Sequence, residues 1–227
     1  MIEEIKLYSY KHQLTHVPSA LSMLTYIDAI FSEKFIVPYR DRIVLGKPFG
    51  SQAYYLVWNK LGYLDEIENL SVGVKHSEIP FVDYGEETMG NALGVAIGIA
   101  IAQPKQTIWV NLTDATLQMG STLEALQYIG HNNIKNIVVT VDFNNMQVTG
   151  ETGKVLTVTP IINMCREYNW GVYTVDGHNS NEIKTQWKNS TYCTHPTIFF
   201  YKTIKGFGIN YMQNDPVYWH YKPIEHI

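Results

Sequence analysis

Asp114 and Asn144 each close an apolar run, and together they have the chemistry of a divalent-cation site. Thr113-Asp114-Ala115 follows the stretch Thr107 to Leu112, and Asn144 follows Ile137 to Asp142. Between them, Thr122 to Ile129 reads as a helix. This is a strand, a crossover helix and a strand, with one oxygen ligand at the carboxyl end of each strand. In an open parallel sheet the strand ends are where ligands sit. A carboxylate plus an amide oxygen suits Mg²⁺, which takes few protein ligands and completes its shell from phosphate and water. The pair therefore reads as a site for a magnesium-bound diphosphate.

The remaining pattern is of strands alternating with helices. Helix is expected at about 19–33, a loop through Tyr39-Arg40-Asp41-Arg42, a strand at 43–45 and a helix at about 50–61. Thr88 to Ala102 is apolar nearly all round, too short to span a membrane, and is expected as a helix buried against the sheet. Beyond the central unit come a helix at about 160–168, a strand at 171–176, a turn at Gly177-His178-Asn179, a helix to about 189 and a strand at 197–201. The segment 202–227 is aromatic and loop-rich. Such alternation predicts an α/β fold, a parallel sheet with helices on both faces.

Composition limits the function classes. The 227 residues suit one domain, 1–227, with no linker, repeat or internal boundary. Apolar residues make up 45% and charged residues only 17%, which hints at a covered interface. A net charge of −4 with no basic cluster gives no reason to expect nucleic acid. Met1 to Lys6 lacks a signal-peptide pattern, and Cys165 and Cys193 show no paired spacing, so a reduced, cytoplasmic chain without membrane association is expected.

In order along the chain, seven pieces resemble the amino-terminal, thiamine-diphosphate-binding half of transketolase. Leu14 to Ser22, around His16, resembles the family's first Gly-His segment. Arg40-Asp41-Arg42-Ile43-Val44-Leu45 is similar to its Arg-Asp-Arg-Phe-Val-Leu run, and Met89 to Gly94 to its Leu-Gly-Gln-Gly-Leu helix start. Thr113-Asp114-Ala115 stands for Gly-Asp-Gly, Asp142-Phe143-Asn144 for Asp-Asp-Asn, and Val175-Asp176-Gly177-His178 for Val-Asp-Gly-His. Lys202 to Gly208, followed by Trp219-His220, resembles the closing Lys-Thr-x-x-Gly-x-Gly and Trp-His segment.

The resemblance implies a thiamine-diphosphate-binding fold and transfer of a two-carbon ketol unit between sugar phosphates or related sugars. Carried over by position, Asp114, Asn144 and the backbone carbonyl of Met146 would be Mg²⁺ ligands. Thr113 and Ala115 would line the diphosphate, His220 would donate to a phosphate oxygen, and Met89, Gly90 and Val148 would lie along the cofactor. His16 would face the reacting carbon; His76, aligned through a gap, would be a second substrate-facing histidine. The glutamate that activates the cofactor lies in the family's second domain. A separate partner subunit carrying the pyrimidine-binding and carboxy-terminal domains, in an α2β2 assembly, is therefore expected. Glu124 could be a carboxylate behind the metal site or a surface charge, and His178 is expected to fix a turn.

Three departures from the family pattern stand out. Phe49 replaces an imidazole in Lys47-Pro48-Phe49, Met119 replaces an acidic residue, and Glu87 replaces a glycine. They point to a specialised donor or acceptor, or to a degenerate scaffold subunit. Half of another thiamine-diphosphate enzyme, of the 2-oxo acid decarboxylase or dehydrogenase type, is the other alternative. The Asp-Arg run and the Trp-His segment argue against it.

Overall fold

Runs of β-branched and aromatic residues form the strands of a six-stranded parallel sheet, as their propensity for a pleated surface requires. The computed structural model describes residues 1–68 and 70–225; His226, a histidine to which the sequence lends no functional context, lies outside them. The strands are β1 (Arg42–Leu45), β2 (Val82–Gly85), β3 (Ile108–Thr113), β4 (Ile137–Phe143), β7 (Gly171–Asp176) and β8 (Thr197–Lys202). A separate two-residue ladder joins β5 (Met146–Gln147) to β6 (Gly150–Glu151). The helices are α1 (Ile2–Lys11), α2 (Val17–Ser32), α3 (Ser51–Lys60), α4 (Ala92–Ala102), α5 (Gly120–His131), α6 (Thr152–Val155), α7 (Thr159–Glu167), α8 (Ser180–Asn189) and α9 (Asn210–Asn214).

The strand order is β2-β1-β3-β4-β8-β7. Successive strand residues point to opposite faces, and each face has its own apolar cluster. Ile43, Leu45, Trp109, Val138, Phe199 and Tyr201 pack with α1, α2, α3 and α8. Val44, Val110, Val139, Val141, Ile198 and Phe200 pack with α4, α5 and α7. The chain steps from β1 one way to β2 and then restarts at β3 on the other side of β1. That reversal opens a crevice beyond the carboxyl ends of β1 and β3, the place where α/β sheets bind ligands.

Two expectations about Thr88 to Ala102 need correction. The helix begins at Ala92, because the Glu86 carboxylate accepts the Asn91 and Ala92 N–H groups and Gly90 holds φ +119 just before it. It is also buried along one face only: Ala92, Leu93, Ala96 and Ala100 face the sheet, whereas Ile101 is 61% exposed. Gly46, after β1, is what lets this helix start approach: a Cβ there would lie 2.9 Å from that of Ala92 and 2.5 Å from Leu112 Cδ2. Among its described residues beyond β8, the tail expected to be irregular holds α9 and a 3₁₀ turn, Tyr218–His220, as its regular elements. No helix among the described residues is long and apolar enough to cross a membrane.

Candidate functional site

The loops after β1, β3, β4 and β8 converge on a cavity of about 490 Å³. Its lining includes His16, Lys47, Phe49, Thr113, Ala115, Asn144, Met146, Lys205 and His220. Asp114 lies fully buried between Thr113 and Ala115. Its Oδ1 accepts the Ala115 N–H at 2.8 Å and the Thr113 hydroxyl at 3.1 Å; its Oδ2 has no hydrogen-bond partner among the described residues. A buried acceptor left unmet costs about 1–3 kcal/mol, more when charged. Burial, and then the neighbouring Asp142 carboxylate, push the Asp114 carboxyl up to about 6. A cation would reverse both effects, so this donor set fits a metal.

Asn144 follows β4 and is also buried. Its amide nitrogen donates to Asp142 Oδ2 at 2.8 Å and to Ser22 Oγ at 3.3 Å, and its oxygen accepts the Met146 N–H at 2.9 Å. Asn145 turns the loop with φ +56, a left-handed conformation that asparagine tolerates. Thr113 and Asp142 are cross-strand partners, so the Asp114 and Asn144 loops leave the sheet side by side.

An aromatic group closes the other end of the cavity. His16 stands at the N-cap of α2 with φ +61 and makes no side-chain cap hydrogen bond. Small polar residues are the usual caps, and a bulky residue in this conformation is strained by about 1–2 kcal/mol. Such strain at a cavity wall is a pointer to function. Its ring stacks on Phe49 with centroids 4.8 Å apart and meets His220 edge-on at 4.5 Å. Burial, then the charges of Lys205 and Lys47, lower His16 to about 4 and contribute to lowering His220 to about 3, so both rings are neutral near pH 7. His220 Nδ1 is buried without a partner among the described residues.

The structure brings together most of the nominated residues, and it adds some. Met89 and Val148 line the cavity with 42% and 45% exposure, apolar surface awaiting a contact. Gly90 sits just outside the lining, its carbonyl accepting the Ser121 hydroxyl. His76 is not brought in: it lies on an exposed loop, with Nδ1 at 2.6 Å from the Val82 carbonyl oxygen. Glu124 is exposed on α5. His178 was expected to fix its turn; its side chain instead ties that turn to the loop after β8, accepting the Ile204 N–H and stacking on Phe207. Met119 and Glu87 both line the cavity.

Lys205, Lys47 and Asp142 were missed as site residues, although each lies in a quoted motif. Lys205 is 4% exposed and makes no ion pair or side-chain hydrogen bond among the described residues. Burial, then Lys47, lower it to about 8, which leaves an ammonium at neutral pH with only the cavity to serve. Lys47 pairs with the buried Asp142. A lysine inside a glycine-rich loop gives no signal of its own burial, so sequence patterns could not single it out.

The family profile described as "Transketolase, thiamine diphosphate binding domain" matches residues 12–220. The chain is 28% identical over 201 residues to Transketolase-like protein 2 of Homo sapiens, covering 82% of this chain and 32% of that protein. It thus spans about a third of the length of the curated transketolases it matches. It is 25% identical over 219 residues to the 6-deoxy-6-sulfo-D-fructose transketolase subunit SqwG of Clostridium sp. (strain MSTE9), covering 87% of this chain and 80% of that subunit. The crystal structure of transketolase from Campylobacter jejuni superposes with a TM-score of 0.71 at 18% identity, over 92% of this chain and 40% of that one, which establishes the shared fold.

Proposed function

This chain belongs to the transketolase family of thiamine-diphosphate-binding domains, and on that premise we propose that it is the amino-terminal subunit of a split transketolase-type enzyme. With Mg²⁺ and thiamine diphosphate it transfers a two-carbon ketol unit between sugar phosphates or related sugars. It is a single domain, 1–227, and works with a separate subunit bearing the pyrimidine-binding and carboxy-terminal domains, in an α2β2 assembly in the cytoplasm. The similarity to SqwG, a protein named as a subunit and covered over 80% of its length, supports the split. The two free cysteines suit a reducing compartment. The observation that carries the cofactor reading is the buried, unpartnered Asp114 Oδ2 at the sheet's switch point, flanked by cavity-lining residues.

Thiamine diphosphate supplies, when bound, the nucleophilic carbon that breaks and makes the bond beside a ketose carbonyl. Asp114, Asn144 and the Met146 carbonyl would hold Mg²⁺, which would neutralise the diphosphate charge. The Lys205 ammonium faces the same anion in a low-dielectric cavity, where its charge counts for more than in water. Thr113 and Ala115 would line the diphosphate, and His220 would donate an N–H to it. Met89 and Val148 cover apolar ring surface. His16, neutral and pinned by Phe49, exchanges protons with substrate hydroxyls. Phe49 removes a polar contact from this wall and so tunes the choice of donor or acceptor.

Calorimetric titration of thiamine diphosphate with Mg²⁺ into the chain reconstituted with its partner tests this reading. Saturable binding followed by ketol transfer from a ketose phosphate is expected. Release of CO₂ from a 2-oxo acid would replace it with the decarboxylase reading, and absence of binding with a scaffold role.

A further inference from the structure

One buried carboxylate beside the site is touched by four side chains and by no ligand-binding role assigned above. Asp142, the sixth residue of β4, is fully buried. It accepts from Ser22 Oγ of α2 at 2.7 and 2.9 Å, from Thr203 Oγ1 beyond β8, from Lys47 Nζ beyond β1 and from Asn144 Nδ2 at 2.8 Å. These donors come from four separate segments of the chain. With its lone pairs so occupied, Asp142 has little capacity left to ligate a metal itself. The Lys47 ammonium paired with it and the Ser22 and Thr203 hydroxyls that donate to it are the partners of an ionised carboxylate.

The consequence falls on Asn144. A primary amide has two ends of nearly equal shape, and only its hydrogen bonds decide which is oxygen. An ionised carboxylate accepts and never donates, so the end of Asn144 that meets Asp142 must be the NH₂. The oxygen is then turned to the Met146 N–H, with a second lone pair to spare. The flipped amide would set oxygen against carboxylate and NH₂ against the Met146 N–H, losing the bonds to Asp142 and Met146 and adding two repulsions. We propose that Asp142 is a positioning residue, held in place by Lys47, Ser22 and Thr203, that locks the Asn144 oxygen toward the diphosphate-bound metal. The proposal rests on the functional reading above, since it concerns how one ligand of that metal site is oriented. Outer-shell partners of this kind are worth 10–100-fold in metal affinity.

The plain alternative is that Asp142 merely balances the buried Lys47 charge. Two variants separate these roles, and both remove Lys47 so that no buried ammonium is left unpaired. Lys47→Met with Asp142→Leu replaces the pair by apolar groups, a change that is often neutral for stability, and removes the carboxylate acceptor of Asn144, leaving it only the longer contact to Ser22 Oγ at 3.3 Å. Lys47→Met with Asp142→Asn restores a neutral acceptor oxygen at the same place. Mn²⁺ is titrated into each full chain at a constant concentration of thiamine diphosphate, with free Mn²⁺ read by electron paramagnetic resonance, and the cofactor-free chains are melted in parallel.

The Leu variant is expected to bind Mn²⁺ 10–100-fold more weakly than the Asn variant while melting close to it. Equal affinities in the two variants would overturn the proposal. If the Leu variant does not fold, Lys47→Met with Asp142→Ser, too short to reach Asn144, is judged by the same comparison. Failure of the unmodified chain to bind Mn²⁺ and thiamine diphosphate together would remove the functional reading and this inference with it. Tight binding by the unmodified chain with no difference between the variants would remove the inference alone.

Discussion

At the residue scale, Asp114 is a group whose burial harms the fold and serves the ligand. Burial, and then the Asp142 charge, push its carboxyl from the ordinary 3.8 up to about 6 in the folded chain. The folded state therefore binds the proton more tightly. Stability of the cofactor-free chain is fully present below about pH 3.8, falls as pH rises toward 6 and stays reduced above. A shift of this size corresponds to roughly 3 kcal/mol, at 1.36 kcal/mol per pH unit. Asp114→Asn removes that penalty but leaves a new amide donor without a partner, which takes back about 1–3 kcal/mol. The net expectation is a cofactor-free chain at least as stable at pH 7, by up to about 2 kcal/mol or a few degrees in Tm. The rise in Tm on adding Mg²⁺ and thiamine diphosphate should vanish in the same protein. Calorimetric melting with and without the ligands checks both halves. A destabilised variant that still responds to ligand would contradict the assignment of Asp114 to the metal.

At the scale of elements, the loop ahead of α4 shapes one cavity wall and hangs on Glu86. This carboxyl is 2% exposed and raised by burial, while the Asn91 and Ala92 N–H groups pull it back. Glu86→Ala would take the acceptor from both N–H groups, that of the exposed Asn91 turning to water and that of the buried Ala92 left unmet, costing about 2 kcal/mol, whereas Glu86→Gln keeps one acceptor and should cost about 1. Urea denaturation of the two variants ranks them, and the reverse order would refute this account of the helix start. The same loop shows where sequence reading stops. The strands β3, β4, β7 and β8 were legible because each is a run of apolar, largely β-branched or aromatic residues. The start of α4 was not, since its apolar pattern continues through Met89 and only a tertiary contact from Glu86 sets the boundary. β2 was missed because four half-polar residues, with Asp83 bonded to Arg42 and Ile43, carry no period. α1 also went unread. In the site, Asp114 and Asn144 were visible as strand-end residues. Lys205 and Asp142 were not, because burial of a charge depends on segments far apart in sequence.

At the scale of the whole molecule, the cavity is built to be covered. Its rim carries Met89, Val148 and Tyr221, the last 60% exposed. Among the cavity-lining residues described, Glu87 is the one carboxylate; its side chain is 77% exposed and lies 3.9 Å from Lys75 Nζ. A solvated carboxylate in that position cannot serve as the buried acid that family enzymes bring to the cofactor from their second domain. Water would also enter freely, weakening each electrostatic contact in the site. The proposed subunit should therefore bind thiamine diphosphate and Mg²⁺ by itself yet transfer no ketol unit. Turnover should appear when a chain bearing the remaining domains is added, and should climb linearly until the two are equimolar, the break point that an α2β2 assembly requires. Mixing at fixed total cofactor, with ketol transfer followed by a coupled assay, measures that ratio. Sustained turnover by this polypeptide alone would mean that the activating acid comes from within the chain, with Glu87 the first residue to substitute.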